Sequence, residues 1–149
     1  MSSYRQLFYH IVFHTRGAEK TIDDIHSKEL YNYIWGIVKN KNSKLYQING
    51  IEDHIHMLAD IHPTIPVSDF VRDVKSFSSS WMKQSGYFQK FKGWAEGFGV
   101  FTVSYKEKDM IIGYIKKQKE HHKSFSFEEE YRNLLLEQGI AIDEKYFLK

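Results

Sequence analysis

The chain has 149 residues and a net charge of +2, with 42% hydrophobic and 16% aromatic residues and no cysteine. This length suits one domain, 1–149, with a core of its own, and the composition excludes a disordered chain, a disulfide scaffold and a thiolate zinc site. The opening MSSYRQLFYHIVFHTRG lacks a basic leader, and no run reaches the ~20 apolar residues of a membrane helix, so a soluble, cytoplasmic protein is expected.

The first periodic element is 5–14, where Leu7, Tyr9, Ile11 and Phe13 alternate with Phe8, His10, Val12 and His14. Both sets are largely apolar, which predicts a central strand covered on two faces. After Gly17, SKELYNYIWGIVKNKN carries Leu30, Ile34, Ile37 and Val38 at helical spacing, with Ser27 as the expected N-cap. KLYQINGIE and HIHMLADI then read as two strands, with Asn49-Gly50 and Glu52-Asp53 as breaks, a pattern for a hairpin or a bulged pair. In the second of these, His54 and His56 lie two residues apart and so project from one face, opposite Ile55, Met57 and Ala59.

Beyond Pro63 and Pro66, VSDFVRDVKSFSSSWMKQSG predicts a helix that buries Val67, Val71, Val74 and Trp81, flanked by Phe70 and Phe77, and stops at Gly86. Its other face carries Arg72, Lys75, Ser76, Ser79 and Lys83. The glycine-rich, aromatic connector YFQKFKGWAEGFG leads to a strand, VFTVSY, and then to a third helix, EKDMIIGYIKKQKEHHK. Ser126 and Glu129 form a capping-box pattern ahead of a fourth helix, which Gly139 ends before an apolar tail. The order β-α-β-β-α-β followed by helices predicts an α+β protein: a ferredoxin-like antiparallel sheet with helices on one face and further C-terminal helices. Charge is uneven, since residues 72–123 hold eleven Lys/Arg against five acids, +6, and the remainder carries −4. This points to a polyanion partner for the middle of the chain.

Taken alone, the His-x-His pair fits two polar residues on a half-wet strand. It also fits a hydrolytic zinc site completed by Asp60 and His62, although the His-x-His-x-Asp-His spacing of such enzymes is not kept. A third reading joins it to Tyr114 and Gln118, four residues apart and therefore stacked on one helical face, with His121 and His122 nearby. Otherwise Tyr114 belongs to an apolar stripe with Met110, Ile111 and Ile115, and Gln118 is solvated.

The motifs in combination resemble those of the single-tyrosine HUH transposases of the insertion-sequence 200/605 class. YHIVFHT is similar to that family's first strand, GIEDHIHMLADI to its Asp-His-x-His strand, and SDFVRDVKSFSSSWM to the helix that follows. GWAEGFGVFTVS and YIKKQKEHH are similar to its Trp…Gly-aromatic-Gly and Tyr-Ile-x-x-Gln-x-x-His segments. Ala95, Phe98 and Thr102 depart from the glutamine, tyrosine and serine usual there.

The resemblance implies that His54, His56 and Gln118 bind a divalent metal, Mg²⁺ or Mn²⁺, and that Tyr114 is the nucleophile. The implied reaction cuts single-stranded DNA at hairpin-bearing ends, leaving a 5′-phosphotyrosine and a free 3′-OH. A homodimer is also implied. Such mixed nitrogen and oxygen ligands suit these metals, with positions left for phosphate. Asp53 either orients an imidazole or simply opens the strand. Arg72, Lys75, Lys83, Ser76 and Ser79 are candidate phosphate contacts, and Trp94 or Tyr87 candidate stacking platforms. The alternative from another class is a non-catalytic nucleic-acid-binding regulator on the same fold.

Overall fold

In the computed structural model, which describes residues 3–149, the alternating segments form β1 (Phe8–His14), β2 (Lys44–Ile51), β3 (His54–Asp60) and β4 (Gly99–Val103). The helices are α1 (Ser27–Asn40), α2 (Val67–Ser85), α3 (Lys108–Lys116), α4 (Gln118–His121) and α5 (Phe127–Glu137). Strand order is β2-β3-β1-β4 with every neighbour antiparallel, the expected ferredoxin-like α+β arrangement. β1 lies inside the sheet and is buried on both faces, as its double apolar pattern requires.

The two faces have different coverings. Ile11 and Phe13 of β1 and Ile55, Met57 and Ala59 of β3 pack under α1 and α2 with Leu30, Ile34, Val38, Phe70, Val71 and Val74. Each of these Val, Leu, Ile, Met and Phe side chains, fully buried, contributes about 1.5–3 kcal/mol of transfer free energy. The opposite face carries Phe8, His10, Val12, His14, His54, His56 and Leu58. It is covered by Ile115 of α3, by Phe127 and Tyr131 of α5, and by Phe147 and Leu148 of the tail. The tail is tied down where His14 Nε2 donates to the Leu148 carbonyl at 3.1 Å.

Local chemistry explains the turns. β2 and β3 form a hairpin closed at Glu52-Asp53, with a bulge at Tyr46 rather than a break at Asn49-Gly50. Gly50 is required there: a Cβ would stand 2.1 Å from the His54 carbonyl oxygen. Gly86 ends α2 in the left-handed conformation (φ 79°). Ser126 caps α5 by accepting from Glu129 N–H at 3.2 Å.

Ser27 departs from its expected role. It is the first residue of α1 and donates to Asp24 O, while Asp23 accepts from Ile25 N–H and starts a short turn before the helix. The predicted third helix is also divided, because Lys117 leaves helical geometry (φ −95°, ψ 17°) between α3 and α4. The carbonyls freed at the end of α3 are met by Asn49 of β2, whose Nδ2 donates to Ile115 O at 3.0 Å and Lys116 O at 3.1 Å.

Candidate active site

His54 and His56 project from β3 towards the layer formed by α3, α4 and α5. β1 lies alongside, its Val12 paired with His56 and its His14 with His54. The break at Lys117 does not carry Gln118 away. Its Oε1 lies 3.0 Å from His54 Nε2 and 3.1 Å from His122 Nε2. The centre of the cluster is Glu130 of α5. Its Oε1 stands 2.9 Å from His56 Nε2 and 3.2 Å from the Nε2 atoms of both His54 and His122. Its Oε2 accepts from Gln118 Nε2 at 3.0 Å and from the Tyr114 hydroxyl. Tyr114, Gln118, His54 and His56 of one chain therefore meet at a single carboxylate. His54, His56 and Gln118 are fully buried, and Glu130 is 5% exposed.

The outer nitrogens decide how the imidazoles face inward. His122 Nδ1 lies 2.7 Å from the Phe125 carbonyl and His54 Nδ1 2.7 Å from the Asp53 carboxylate, both pure acceptors, so these nitrogens carry hydrogens. If neutral, His54 and His122 then turn lone pairs towards the oxygens of Gln118 and Glu130. The amide cannot reverse to relieve this, because its NH₂ faces the Glu130 carboxylate. Lone pairs against oxygens call for a positive charge between them, either protons on the imidazoles or a metal ion. His54, His122 and Glu130 could hold such an ion, offering ligand atoms within 4.8 Å of one another. Imidazole, amide and carboxylate donors suit a divalent cation that accepts both nitrogen and oxygen.

The electrostatics follow the same logic. Burial opposes a charge on His54, but the Asp53 and Glu130 carboxylates outweigh it and lift the pKa to about 8. Burial lowers His56 to about 4, and burial together with the neighbouring His56 lowers His10, 2.9 Å from His56 Nδ1, to about 3. Burial alone would raise Glu130, yet the bonds to His122, His54 and His56 hold it well below the usual carboxylate range. Burial and then the Glu130 charge push the Tyr114 phenol well above its ordinary value. A cavity of about 280 Å³, lined by Tyr114, His121, Phe125, Glu130, Leu134 and Glu137, opens onto the Tyr114–Glu130 pair.

The candidate DNA contacts lie elsewhere. Arg72, Lys75, Ser76, Ser79, Lys83 and Trp94 line one groove of about 350 Å³, largely on α2, the helix packed on the sheet face away from the histidines. Their availability differs. Lys75 is tied to the carbonyls of Ala95, Glu96 and Gly97 at 2.6–3.3 Å, and Arg72 pairs with Asp69 and Asp73. Trp94, expected to stack on bases, is instead a core residue. It is 7% exposed, packs edge-on against Phe13 and Phe91, and donates Nε1 to Ser78. Lys83 and Ser76 are exposed and Ser79 is half-buried. Trp81, expected in the core, is half-buried and stacks on Tyr33, and Phe77 is half exposed. Tyr87 is 44% exposed and stacks on His26.

Asp60 and His62 play no part in the cluster: His62 is engaged with Thr64, so the spacing for a hydrolytic zinc site has no structural counterpart among the described residues. Glu130 is what the sequence reading missed, and His122, noted beside Tyr114 and Gln118, was given no role there. A signal for Glu130 existed, since it interrupts the stripe Phe127, Tyr131, Leu134 at helical spacing, where an acid is buried only with partners.

A family model described as "Transposase IS200 like" matches residues 3–118. This chain belongs to the IS200-like transposase family. The transposases for insertion sequence element IS200 of Salmonella typhimurium (strain LT2) and Salmonella typhi are each 31% identical to it over 120 residues, covering 77% of this chain and 78% of theirs. Among solved structures, a candidate transposase from Deinococcus radiodurans R1 aligns with a TM-score of 0.61 and 23% identity, covering 79% of this chain and 98% of that one. A REP-associated tyrosine transposase bound to a REP hairpin aligns with a TM-score of 0.62 and 14% identity, covering 82% of this chain and 74% of that one. At these identities the structural likenesses speak for the fold. No described helix of this IS200-like transposase is long and apolar enough to cross a membrane. Tyr114 and Gln118 fall within the family match, whereas His122 and Glu130 lie beyond its end.

Proposed function

We propose that this IS200-like transposase cuts and rejoins single-stranded DNA through a covalent bond to Tyr114, with a divalent metal, Mg²⁺ or Mn²⁺, held at His54, His56 and Gln118. The observation that carries this reading is the convergence of these four side chains of one chain on a single buried point. When bound, the metal polarises the scissile phosphate and offsets the charge that develops on it. Asp53 holds His54 with its Nε2 directed inward, and His10 supports His56.

In the reaction the Tyr114 phenol gives up its proton as its oxygen bonds to phosphorus, the P–O3′ bond breaks, and the 3′ oxygen takes up a proton to leave as a hydroxyl. Attack by a second 3′-OH on the phosphotyrosine reverses these steps and joins strands without an external energy source. A free phenol, with a pKa of about 10, is a weak nucleophile at neutral pH. The raised pKa of Tyr114 makes assistance at the hydroxyl more necessary still.

Hairpin-bearing DNA is the proposed substrate, supported by the hairpin seen on the REP-associated relative. The α2 groove, through Lys83, Ser76, Ser79 and Arg72, is the proposed phosphate-binding surface. A homodimer is part of the proposal, and within one chain Tyr114 and His56 already meet at Glu130.

The test is to incubate the protein with Mn²⁺ or Mg²⁺ and labelled single-stranded hairpin DNA, and to resolve products under denaturing conditions. A denaturant-resistant adduct is expected with the wild type and not with Tyr114→Phe. An adduct that persists in Tyr114→Phe overturns the nucleophile. Cleavage without an adduct indicates hydrolysis, and binding alone a regulator.

A further inference from the structure

The geometry points to Glu130 as a bridging carboxylate of the active site, one oxygen completing the metal's ligand set and the other holding the Tyr114 hydroxyl beside it. α5 then belongs to the catalytic centre, although it lies outside the segment that matches the family. This rests on the function proposed above and adds a residue to it.

Three observations carry the assignment. First, Glu130 Oε1 is the common neighbour of three imidazole Nε2 atoms at 2.9–3.2 Å, and it sits where their inward-facing nitrogens converge. Second, the ligands implied by the family resemblance, two imidazoles and an amide, are all neutral. A buried divalent cation needs compensating negative charge, and hard cations favour carboxylate oxygen. Asp53 is engaged on the outer nitrogen of His54, so Glu130 is the acid that faces the centre.

Third, Glu130 is held rather than loosely inserted. Phe127, one turn earlier, stacks on His54 with ring centroids 4.2 Å apart, and Tyr131 stacks on Phe127 and on Phe147 of the tail. The Ser126 cap secures the helix start. The second carboxylate oxygen, meanwhile, accepts from Tyr114 and from Gln118, which fixes the phenol relative to the histidines. His122, its Nδ1 fixed by the Phe125 carbonyl, is placed to join the same set.

The competing role for a carboxylate at this point is a plug that must leave before metal can bind. Titrating Mn²⁺ alone into the full-length protein, by calorimetry, separates the two. A bridging ligand predicts at least tenfold weaker Mn²⁺ binding in the near-isosteric Glu130→Gln, partial recovery in Glu130→Asp, and no change in the exposed neighbour variant Glu129→Gln. Thermal melts without metal confirm folding. At saturating Mn²⁺, Glu130→Gln is also expected to form the DNA adduct at least tenfold more slowly. Mn²⁺ affinity in folded Glu130→Gln equal to or above that of the wild type overturns the proposal, as does absence of Mn²⁺ binding by the wild type. A wild type that binds Mn²⁺ through Glu130 but forms no adduct overturns the strand-transfer reading and leaves the ligand assignment standing.

Discussion

Asn49 offers a way to disturb the Tyr114 helix without touching any group at the centre. Its amide stands under the break at Lys117 and donates to the last two carbonyls of α3. Asn49→Ala removes both bonds. An intramolecular hydrogen bond contributes about 0.5–1.5 kcal/mol net, and one of this pair is solvent-exposed, so the expected loss is about 1–2 kcal/mol. Asn49→Asp should cost more, because a carboxylate oxygen would then face carbonyl oxygens. Either change frees the end of α3 to shift, and with it Tyr114, three residues before the break. Misplacement of a nucleophile by an ångström can cost about a hundredfold in rate. Urea denaturation reads the stability, and the time course of adduct formation at saturating Mn²⁺ reads the rate. The expected order in both is wild type, then Asn49→Ala, then Asn49→Asp. If all three unfold at the same urea concentration and form adduct at the same rate, the break is not held by Asn49 and the reasoning fails.

Without metal, the histidines predict a stability maximum near neutral pH. His54, raised to about 8, contributes stability that is fully present below about 6.5 and lost as pH rises through 8. His10 and His56, lowered to about 3 and about 4, contribute stability present above about 6.5 and lost as pH falls from there towards 4, up to about 1.4 kcal/mol per pH unit each. Urea midpoints that rise steadily to pH 9 would contradict this. On the α2 groove, Lys83→Ala is expected to weaken DNA binding and reduce the slope of log K against log salt by about one, measured by fluorescence anisotropy. Trp94→Phe should instead lower stability by about 1–2 kcal/mol through loss of its bond to Ser78, with DNA affinity unchanged; a large loss of affinity would return Trp94 to the DNA surface.

What could be read from the chain divides by the range of the forces involved. Strand alternation is local, so the shared face of His54 and His56 and the double burial of β1 were legible from spacing. Tyr114 and Gln118 were legible as a pair for the same reason, yet the helix joining them is not continuous. Its break depends on Asn49, 66 residues from Ile115, and no local pattern records such a partner. Ser27 looked like a cap because serine often is one, but Asp23 starts the turn earlier. Trp94, in the glycine-rich aromatic connector, reads from the sequence as a candidate stacking platform. Phe13, Phe91 and Ser78 draw it inward instead.

Glu130 shows where pattern reading stops. A helix start rich in acids, Glu128, Glu129 and Glu130, is ordinary favourable chemistry with the helix dipole, and this hides the one acid that serves another purpose. Position distinguishes it: Glu130 shares the apolar face with Phe127 and Tyr131, and a carboxylate survives burial there only against positive or hydrogen-bearing partners. Three imidazoles, an amide and a phenol supply those partners, drawn from β3, α3, α4 and the residue after α4. The charge that makes Glu130 costly to bury is also what the proposed ligand set of two imidazoles and an amide lacks. The helix that seals the histidine face therefore closes the core and, in the role proposed for Glu130, would neutralise a bound cation with the same side chain.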